Sequence, residues 1–462
     1  EAIQKMRSGE VEPGRITKTV LVIDEAQDMD ANEYELVKTL MEYNEDIRVI
    51  VVGDDDQNIF SFRGSSSDYM KKFLNEPDSI LYEMVENYRS KRNLVEYSNE
   101  YVKRIANRLK RTPIISRQDD NGSIKLVRYN SGNLIEPLVN DVLSAGLSGS
   151  TCILTLTNEE AMQITGLLLN NGMPARLIQS NEGFNLNKLI EVRCFLSQLQ
   201  LDEGIYAIDD ETWAYAKHKL REKFSRSINL DVCQNLISDF EATNTGTKYK
   251  SDLDIFIRES KLEDFCSGNM DTIFVSTIHK AKGREFDNVF LMLDHISNGF
   301  TGGNISVAAK RLQTDEEKRL LYVALTRAKR NLTIHYNGCY LDNINVEGLV
   351  QVNDHNEYSA PSQLAMQLYH KDVWLDSFTD SQSIVSQLMA GDILRIDGDW
   401  CCDSDGRRIF RFSKAFLQRV DEMKQKNYVP IYAKVRFVLY WQKQSSEREV
   451  LIVLPEVYFK KH

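Results

Sequence analysis

Along the first hundred residues, apolar runs of strand length alternate with a stretch of helical period. Val20-Leu21-Val22-Ile23 is a short apolar run that stops at Asp24-Glu25, and Ile47 to Val52 is a β-branched run that stops at Gly53. Between them, Ala31 to Tyr43 carries its apolar residues at helical spacing. Strand, helix and strand in this order predict a parallel sheet flanked by helices. Chemistry in such sheets collects beyond the carboxyl ends of the strands, and both runs end there in acidic clusters. The alternation starts again near Ser123. Strands are expected at Ile124 to Val127 and Cys152 to Leu156, and a helix over Asn158 to Asn170, capped by its own asparagine and ended by Asn171-Gly172.

From about Leu201 to Ser267 the strand signal gives way to charged and aromatic residues at helical spacing, which reads as a helical insertion. Strands resume at Thr272 to Val275, Val289 to Leu293 and Leu332 to Tyr336, with a helix over Asp315 to Thr326. Beyond Cys339 the pattern changes once more. Helical signals at Ser362 to Tyr369 and Ser381 to Leu388 precede strands at Asp392 to Ile396, Arg408 to Phe412, Tyr432 to Trp441 and Val450 to Leu454, which together read as a small β-rich module.

A chain of 462 residues predicts two to four domains. With 42% hydrophobic and 27% charged residues it can fill ordinary cores and solvate an ordinary surface. No apolar run approaches the roughly 18 residues of a membrane span, no secretory signal pattern is present, and the expected location is cytoplasmic. The opening residue is Glu1, which suggests a piece of a longer protein. The seven cysteines include no CxxC pair, and their odd number argues against a disulfide framework. The vicinal Cys401-Cys402 reads as two buried strand-end thiols. A net charge of -11 is unlike a general polyanion binder, but Glu86 to Arg117 is locally basic, with Arg89, Lys91, Arg92, Lys103, Arg104, Arg108, Lys110, Arg111 and Arg117 against three glutamates. That run is either a solvated face or one that follows a phosphate backbone.

Two loops carry the candidate chemistry. A carboxylate pair at a strand end, Asp24-Glu25, suits a Mg-nucleotide site, one holding the hydrated metal and the other polarising water. The loop Gly53 to Gly64, with sequence GDDDQNIFSFRG, combines an amide that can sense a terminal phosphate with two flat rings that can stack on unpaired bases. On composition alone, Phe60 and Phe62 also fit a core.

These two loops, followed by Asn87-Tyr88-Arg89-Ser90, then VSTIHKAKGREF from Val275 and LYVALTRA from Leu321, resemble motifs II to VI of the UvrD/Rep/PcrA-like superfamily 1 DNA helicases, in order and over about residues 15 to 340. The resemblance implies an α/β fold of two RecA-like, P-loop-NTPase-type domains, the first truncated, with a helical insertion in the second and the β-rich module at the carboxy-terminal end. The implied divisions are 1–118, 119–200, 201–268, 269–340 and 341–462. It implies an ATP- and Mg2+-dependent helicase or translocase, moving 3′→5′ on single-stranded and partly duplex DNA, in repair or recombination. Carried over by position, Asp24 takes part in Mg2+ binding and Glu25 is the general base. Gln57, Arg89 and Arg327 reach the γ-phosphate. Glu285, with Gly283 and Gln27, belongs to the nucleotide site, Glu285 on the ribose. Phe60, Phe62, Arg63, Thr277 and His279 contact the strand. His279 also fits a plain structural role, and Lys280 with Lys282 fits either phosphate neutralisation or a solvated face.

The pattern breaks at one point. No GxxxxGK followed by Ser or Thr, the Walker A loop, occurs in these 462 residues. Without its backbone N–H groups and lysine a triphosphate has no cradle, so the chain by itself is expected to hydrolyse ATP negligibly. A degenerate relative that only binds nucleic acid or a protein is the alternative, as is one module of a larger multi-enzyme chain. In the carboxy-terminal module, Asp397, Asp399 and Asp403 precede Lys414, but Phe412 stands where a metal-dependent nuclease needs an acid. A strand-binding or partner-binding module fits better: Arg407, Arg408, Arg411 and Lys414 are interleaved with Phe410 and Phe412, unless those rings lie in its core.

Overall fold

The computed structural model describes residues 2–11, 16–44, 46–130, 132–178, 185–199, 206–260, 265, 272–294, 314–338, 340–443 and 448–462. Cys266, Cys339 and both ends of the expected helical insertion, Phe265 apart, lie outside these residues. The chain divides into two compact units. The first is built from Glu1–Leu134, Thr151–Leu156 and Thr277–Tyr358, the second from Ile135–Ser150, Thr157–Ser276 and Ser359–His462.

The first unit is α/β. Strands β1 (Val20–Ile23) and β2 (Arg48–Val51) pair in parallel, and α1 (Ala31–Glu42) connects them. α1 starts where the sequence pattern puts it because Asp30 and Glu33 close a reciprocal capping box. Ala26, Met29, Val37 and Phe73 form the small core beneath this pair. The opposite side of the pair stays open, with Val20, Val22, Ile50 and Val52 all more than two-fifths exposed.

Five further strands make a parallel sheet: β3 (Ser123–Tyr129), β4 (Thr151–Thr155), β5 (Phe286–Leu293), β6 (Ala328–Asn337) and β7 (Leu349–Asp354), in the order β7-β3-β6-β5-β4. Val289 to Leu293 are buried on both faces of β5, which is why that run is continuously apolar rather than alternating. α2 (Arg92–Val102) and α3 (Asp315–Leu325) belong to the same unit. α3 is opened by a second capping box, between Thr314 and Glu317.

The second unit holds the helices Asn158–Asn170, Ile190–Gln198, Asp210–Lys223, Leu230–Thr243 and Lys250–Glu259. It also holds a parallel pairing of Ala175–Leu177 with Ile273–Val275 and a seven-stranded antiparallel sheet. The sheet order is Gln363–Gln367, Glu449–Lys461, Tyr428–Gln442, Ile393–Asp397, Trp400–Cys402, Arg408–Phe412 and Val373–Trp374. One hydrophobic core, containing Phe195, Trp213, Phe240, Phe378, Phe410 and Phe459, runs through helices and sheet alike.

Several local expectations change here. Ser362 to Tyr369 is not helical: Gln363–Gln367 is a strand paired with Glu456 to Lys460, and three buried residues in a row, Leu364 to Met366, hide its period. Of Ser381 to Leu388 only Gln382–Val385 is α-helical. The helix at Asn158 is capped by Thr157, whose side chain accepts from the Glu160 N–H while Glu160 accepts from the Thr157 N–H. Lys414–Gln425 is a helix capped by Ser413, absent from the sequence reading. Phe410 and Phe412 are buried, so the aromatics of that strand belong to the core, and Cys401 and Cys402 are buried in the neighbouring strand.

Candidate nucleotide and strand-binding site

The carboxyl ends of β1 and β2 are knitted together before any ligand is considered. The Ala26 N–H donates to the Val52 carbonyl at 3.0 Å, and the Val52 N–H to the Ile23 carbonyl at 2.8 Å. Gln27 then acts as a buried strut. Its side-chain amide nitrogen donates to Glu25 at 2.5 Å, its amide oxygen accepts from the Asp54 N–H at 2.9 Å, and its backbone carbonyl accepts from Asn58. Gly53 makes the strut possible, since a Cβ there would lie 2.6 Å from the Gln27 amide oxygen. Glu25 holds a left-handed backbone at φ 50, a conformation that costs a non-glycine residue about 1 kcal/mol, and its side chain remains 59% exposed. The Asp24 carboxylate accepts from the Glu25 N–H through one oxygen; its other oxygen makes no bond among the described residues. That leaves a free hard-oxygen ligand at the strand end, the donor type that Mg2+ prefers.

The second loop presents Gln57 to the same place. Gln57 donates to Asp54 at 2.8 Å, and its amide oxygen accepts from an Arg327 terminal nitrogen at 3.0 Å. A flipped amide would lose both bonds, so its orientation is fixed. Arg327 is only 2% exposed. Its other bonds go to the Val323 and Arg284 carbonyls and the Thr326 hydroxyl, at 3.0 to 3.1 Å. No carboxylate lies within ion-pair distance of it among the described residues. Burial, with Arg89 adding to it, pulls its pKa down to about 10, so it still carries a charge at neutral pH. A buried cation whose bonds go to neutral acceptors keeps charge with which it can attract an anion.

Arg89 and Glu285, read from sequence as phosphate and ribose contacts, are ion-paired with each other. Lys329 joins them, 2.8 Å from Glu285. The Lys329 bond, and Arg89 beside it, hold the Glu285 carboxyl below the usual carboxylate range. Gly283, at φ 80, provides the left-handed turn just before this residue.

Lys282 is the functional candidate that sequence reasoning misplaced. It does not lie on a solvated face. Its ammonium is 7% exposed and lies 2.5 Å from Asp28, 3.0 Å from the Gln57 carbonyl, 3.8 Å from Glu25 and 5.1 Å from the centre of the Phe60 ring. The alternation of Lys280 and Lys282 gave no sign of which one turns inward.

On the far side of the second loop, Phe60, Phe62 and His279 form a triangle with ring centres 5.9 to 6.1 Å apart. Arg63 lies over both phenylalanines, at 5.2 and 5.6 Å. Neither ring is a core residue: Phe60 is half-buried and Phe62 is 67% exposed. Burial lowers the His279 pKa, which favours its neutral form. Thr277 is itself buried, at the end of its strand.

Most of the basic run is spent internally. Arg108 pairs with Asp56 at 2.8 Å, Lys110 with Asp54 at 2.6 Å, Lys91 with Asp120, Arg92 with Glu347, Arg117 with Glu86, and Arg104 bonds the Tyr340 and Asp342 carbonyls. Arg108 and Lys110 therefore turn inward, while Arg92, Lys103 and Arg117 stay 44 to 64% exposed, as on a solvated face. The same pairs neutralise the cluster Asp54-Asp55-Asp56, whose carboxylate oxygens lie close enough to share an ion. Asp55 accepts from the Leu109 N–H at 2.7 Å, and burial pushes its carboxyl up. This cluster is a structural knot.

Comparison with known proteins adds a second line. Residues 15–78 match the UvrD/REP helicase N-terminal domain and residues 198–338 the UvrD-like helicase C-terminal domain. The chain is 23% identical to ATP-dependent DNA helicase Rep of Buchnera aphidicola, over 69% of this chain and 62% of that protein. It is 23% identical to ATP-dependent DNA helicase PcrA of Bacillus subtilis, over 67% and 54%, and to DNA helicase II of Escherichia coli, over 69% and 56%. It thus spans a little over half the length of these relatives. A solved C-terminal domain of a possible DNA helicase from Lactobacillus plantarum aligns with 57% of this chain and 98% of that one, at 16% identity and a TM-score of 0.27, which is too low to support any statement about the fold. No helix among the described residues is long and apolar enough to cross a membrane. With five motifs in order and both family domains matched, the chain belongs to the UvrD/Rep/PcrA-like superfamily 1 helicases.

Proposed function

We propose that these residues form the γ-phosphate-sensing and strand-gripping part of an ATP-dependent DNA helicase or translocase. The observation that carries this reading is the placement of one loop, Gly53 to Gly64. Its Gln57 end is bonded to Arg327, and its Phe60-Phe62 end is packed against His279. A change at the phosphate end has only a few residues to travel before it moves the rings that would stack on unpaired bases.

In this reading ATP and Mg2+ supply the phosphoryl group and its charge-neutralising ion. Asp24, through its free oxygen, would help hold the ion, and Glu25 takes the proton from the attacking water. Arg327 and Gln57 receive the γ-phosphate, and Arg89 joins them by leaving Glu285, which frees Glu285 for the ribose. Lys282 holds Glu25 and Asp28 in place. Phe60, Phe62 and Arg63 grip single-stranded DNA, or the single-stranded arm of a partly duplex substrate. Movement is 3′→5′, the setting is repair or recombination in the cytoplasm, and the carboxy-terminal unit is left for a protein partner. The open apolar side of the β1–β2 pair is the kind of surface that further strands cover, and a segment with a phosphate-binding loop is what this reading requires beside it.

The 462-residue chain is expected to bind single-stranded DNA, more weakly as salt rises, while hydrolysing ATP negligibly with or without the strand. A coupled phosphate-release assay beside a fluorescence titration measures both. Robust strand-stimulated hydrolysis by this chain would show that it does not need a Walker A loop, and absence of strand binding would remove the grip.

A further inference from the structure

The antiparallel sheet of the second unit has one face in the core and one that carries rings and cations. Cross-strand pairing puts Trp374 opposite Arg411 and Arg411 opposite Trp400, so the three form one row across the strands Val373–Trp374, Arg408–Phe412 and Trp400–Cys402. Arg411 lies over the Trp374 ring at 5.5 Å, and Arg408 over the Trp400 ring at 4.9 Å. On the other face Val373, Phe412, Phe410 and Cys401 belong to the core. Phe410 and Phe412 therefore cannot stack on a ligand, but Trp374, 48% exposed, and Trp400, half-buried, can. Arg411 is held by Asp399 at 2.9 Å. Arg408, and Arg395 opposite Cys402 in the next strand, are exposed, and their side chains make no hydrogen bond or ion pair among the described residues. Asp397 stands on the same face, opposite Trp400, so two free cations meet one acid.

We infer that this face is a second site for single-stranded DNA, in which bases stack on Trp374 and Trp400 while phosphates meet Arg408 and Arg395. The inference goes beyond the proposed function, which gives the strand to the loop Gly53 to Gly64 and the carboxy-terminal unit to a protein partner, and it does not rest on that loop. A guanidinium over an exposed ring stabilises a fold by about 0.5–1 kcal/mol, and that role accounts for Arg411, whose charge Asp399 also neutralises. It does not account for Arg408 and Arg395, which keep their charge uncompensated on a chain of net charge -11. Adjacent strands lie about 4.8 Å apart, so the two tryptophans, with one strand between them, are roughly 10 Å apart. A polyanion crossing the sheet would meet ring, cation and ring in turn, the combination that holds single strands without regard to sequence. An acidic protein segment would answer the cations but not two separated flat rings, for which every base has a matching π-face.

The test uses the 462-residue chain and an oligo(dT) of about twelve nucleotides, within the usual site sizes. Tryptophan emission is the readout. All four tryptophans of the chain lie in the second unit, and of these Trp213 is in the core and Trp441 packs against it. Stacking on Trp374 and Trp400 is expected to lower the emission saturably, in the wild type and in Phe62→Ala alike. Trp374→Phe combined with Trp400→Phe should abolish most of that fall, while affinity for a labelled strand, followed by anisotropy, stays within about twofold because phenylalanine keeps the stacking face. Arg408→Glu, an exposed change, should move the emission titration to roughly tenfold higher strand concentration at low salt. Thermal unfolding checks that each variant is folded. No saturable fall in the wild type, a fall that survives the double tryptophan change, a fall abolished by Phe62→Ala, or a titration unmoved by Arg408→Glu overturns the inference. An oligo-glutamate peptide that lowers the emission as strongly as the strand also overturns it, and makes the face a site for acidic protein segments. Strand affinity unchanged by Phe62→Ala, with the fall in emission intact, would remove the grip of the loop and leave this site standing.

Discussion

Replacing Glu25 with Gln should lower ATP turnover by roughly a thousandfold in a complete protein that carries a phosphate-binding loop ahead of these residues, the scale on which general bases act. The substitution is nearly isosteric. Gln27 can still meet an oxygen at this position, because an amide oxygen accepts as a carboxylate does. What is lost is the ability to take a proton from water, and the partner that faces Lys282 at 3.8 Å. Strand affinity should hold, because the aromatic triangle does not touch Glu25. Steady-state phosphate release and strand titration on the same preparation separate the two effects. Turnover that survives the change would place the base elsewhere.

Arg327→Lys should cost about as much, roughly a thousandfold in turnover, although it keeps the charge. The guanidinium spans four acceptors, on Val323, Arg284, Thr326 and Gln57. A lysine ammonium has three donors and no planar fork, so it cannot hold Gln57 and the backbone carbonyls together while meeting a phosphate. Because Arg327 is buried, some loss of folding stability accompanies the substitution, so thermal unfolding must be measured beside turnover. A variant that folds and retains wild-type turnover would remove Arg327 from the phosphate site.

The loops of this site were legible because their residue types are costly anywhere else. An Asp-Glu pair at a strand end, an amide between three aspartates and two phenylalanines, and an arginine after a buried helix each require a partner. The strand–helix alternation of the first unit was legible for a related reason: buried parallel strands such as β5 read as continuous apolar runs. What stayed hidden were directions. Lys280 and Lys282 are alike in sequence, yet Lys282 turns inward between Asp28 and Gln57. Arg108 and Lys110 sit in a basic run, yet they are spent on Asp56 and Asp54, more than fifty residues away in sequence. Nothing local to Arg89 and Glu285 announces that they pair. The carboxy-terminal module was harder still. Three consecutive buried residues in Gln363–Gln367 erase the period of two, and Lys414–Gln425, directly after the strand that ends at Phe412, was given no element from the sequence. Thr157 was a missed signal rather than an absent one, because threonine with glutamate three residues later is a capping box.

In the proposed function the loop Gly53 to Gly64 has a phosphate end and a strand end, and Phe62 is where the second can be measured in the chain as it stands. Titrating a labelled single strand against wild-type protein and Phe62→Ala should show affinity reduced roughly five- to a hundredfold, the loss of one stacked base, with thermal stability nearly unchanged because the ring is 67% exposed. Equal affinities for the two proteins would contradict the account.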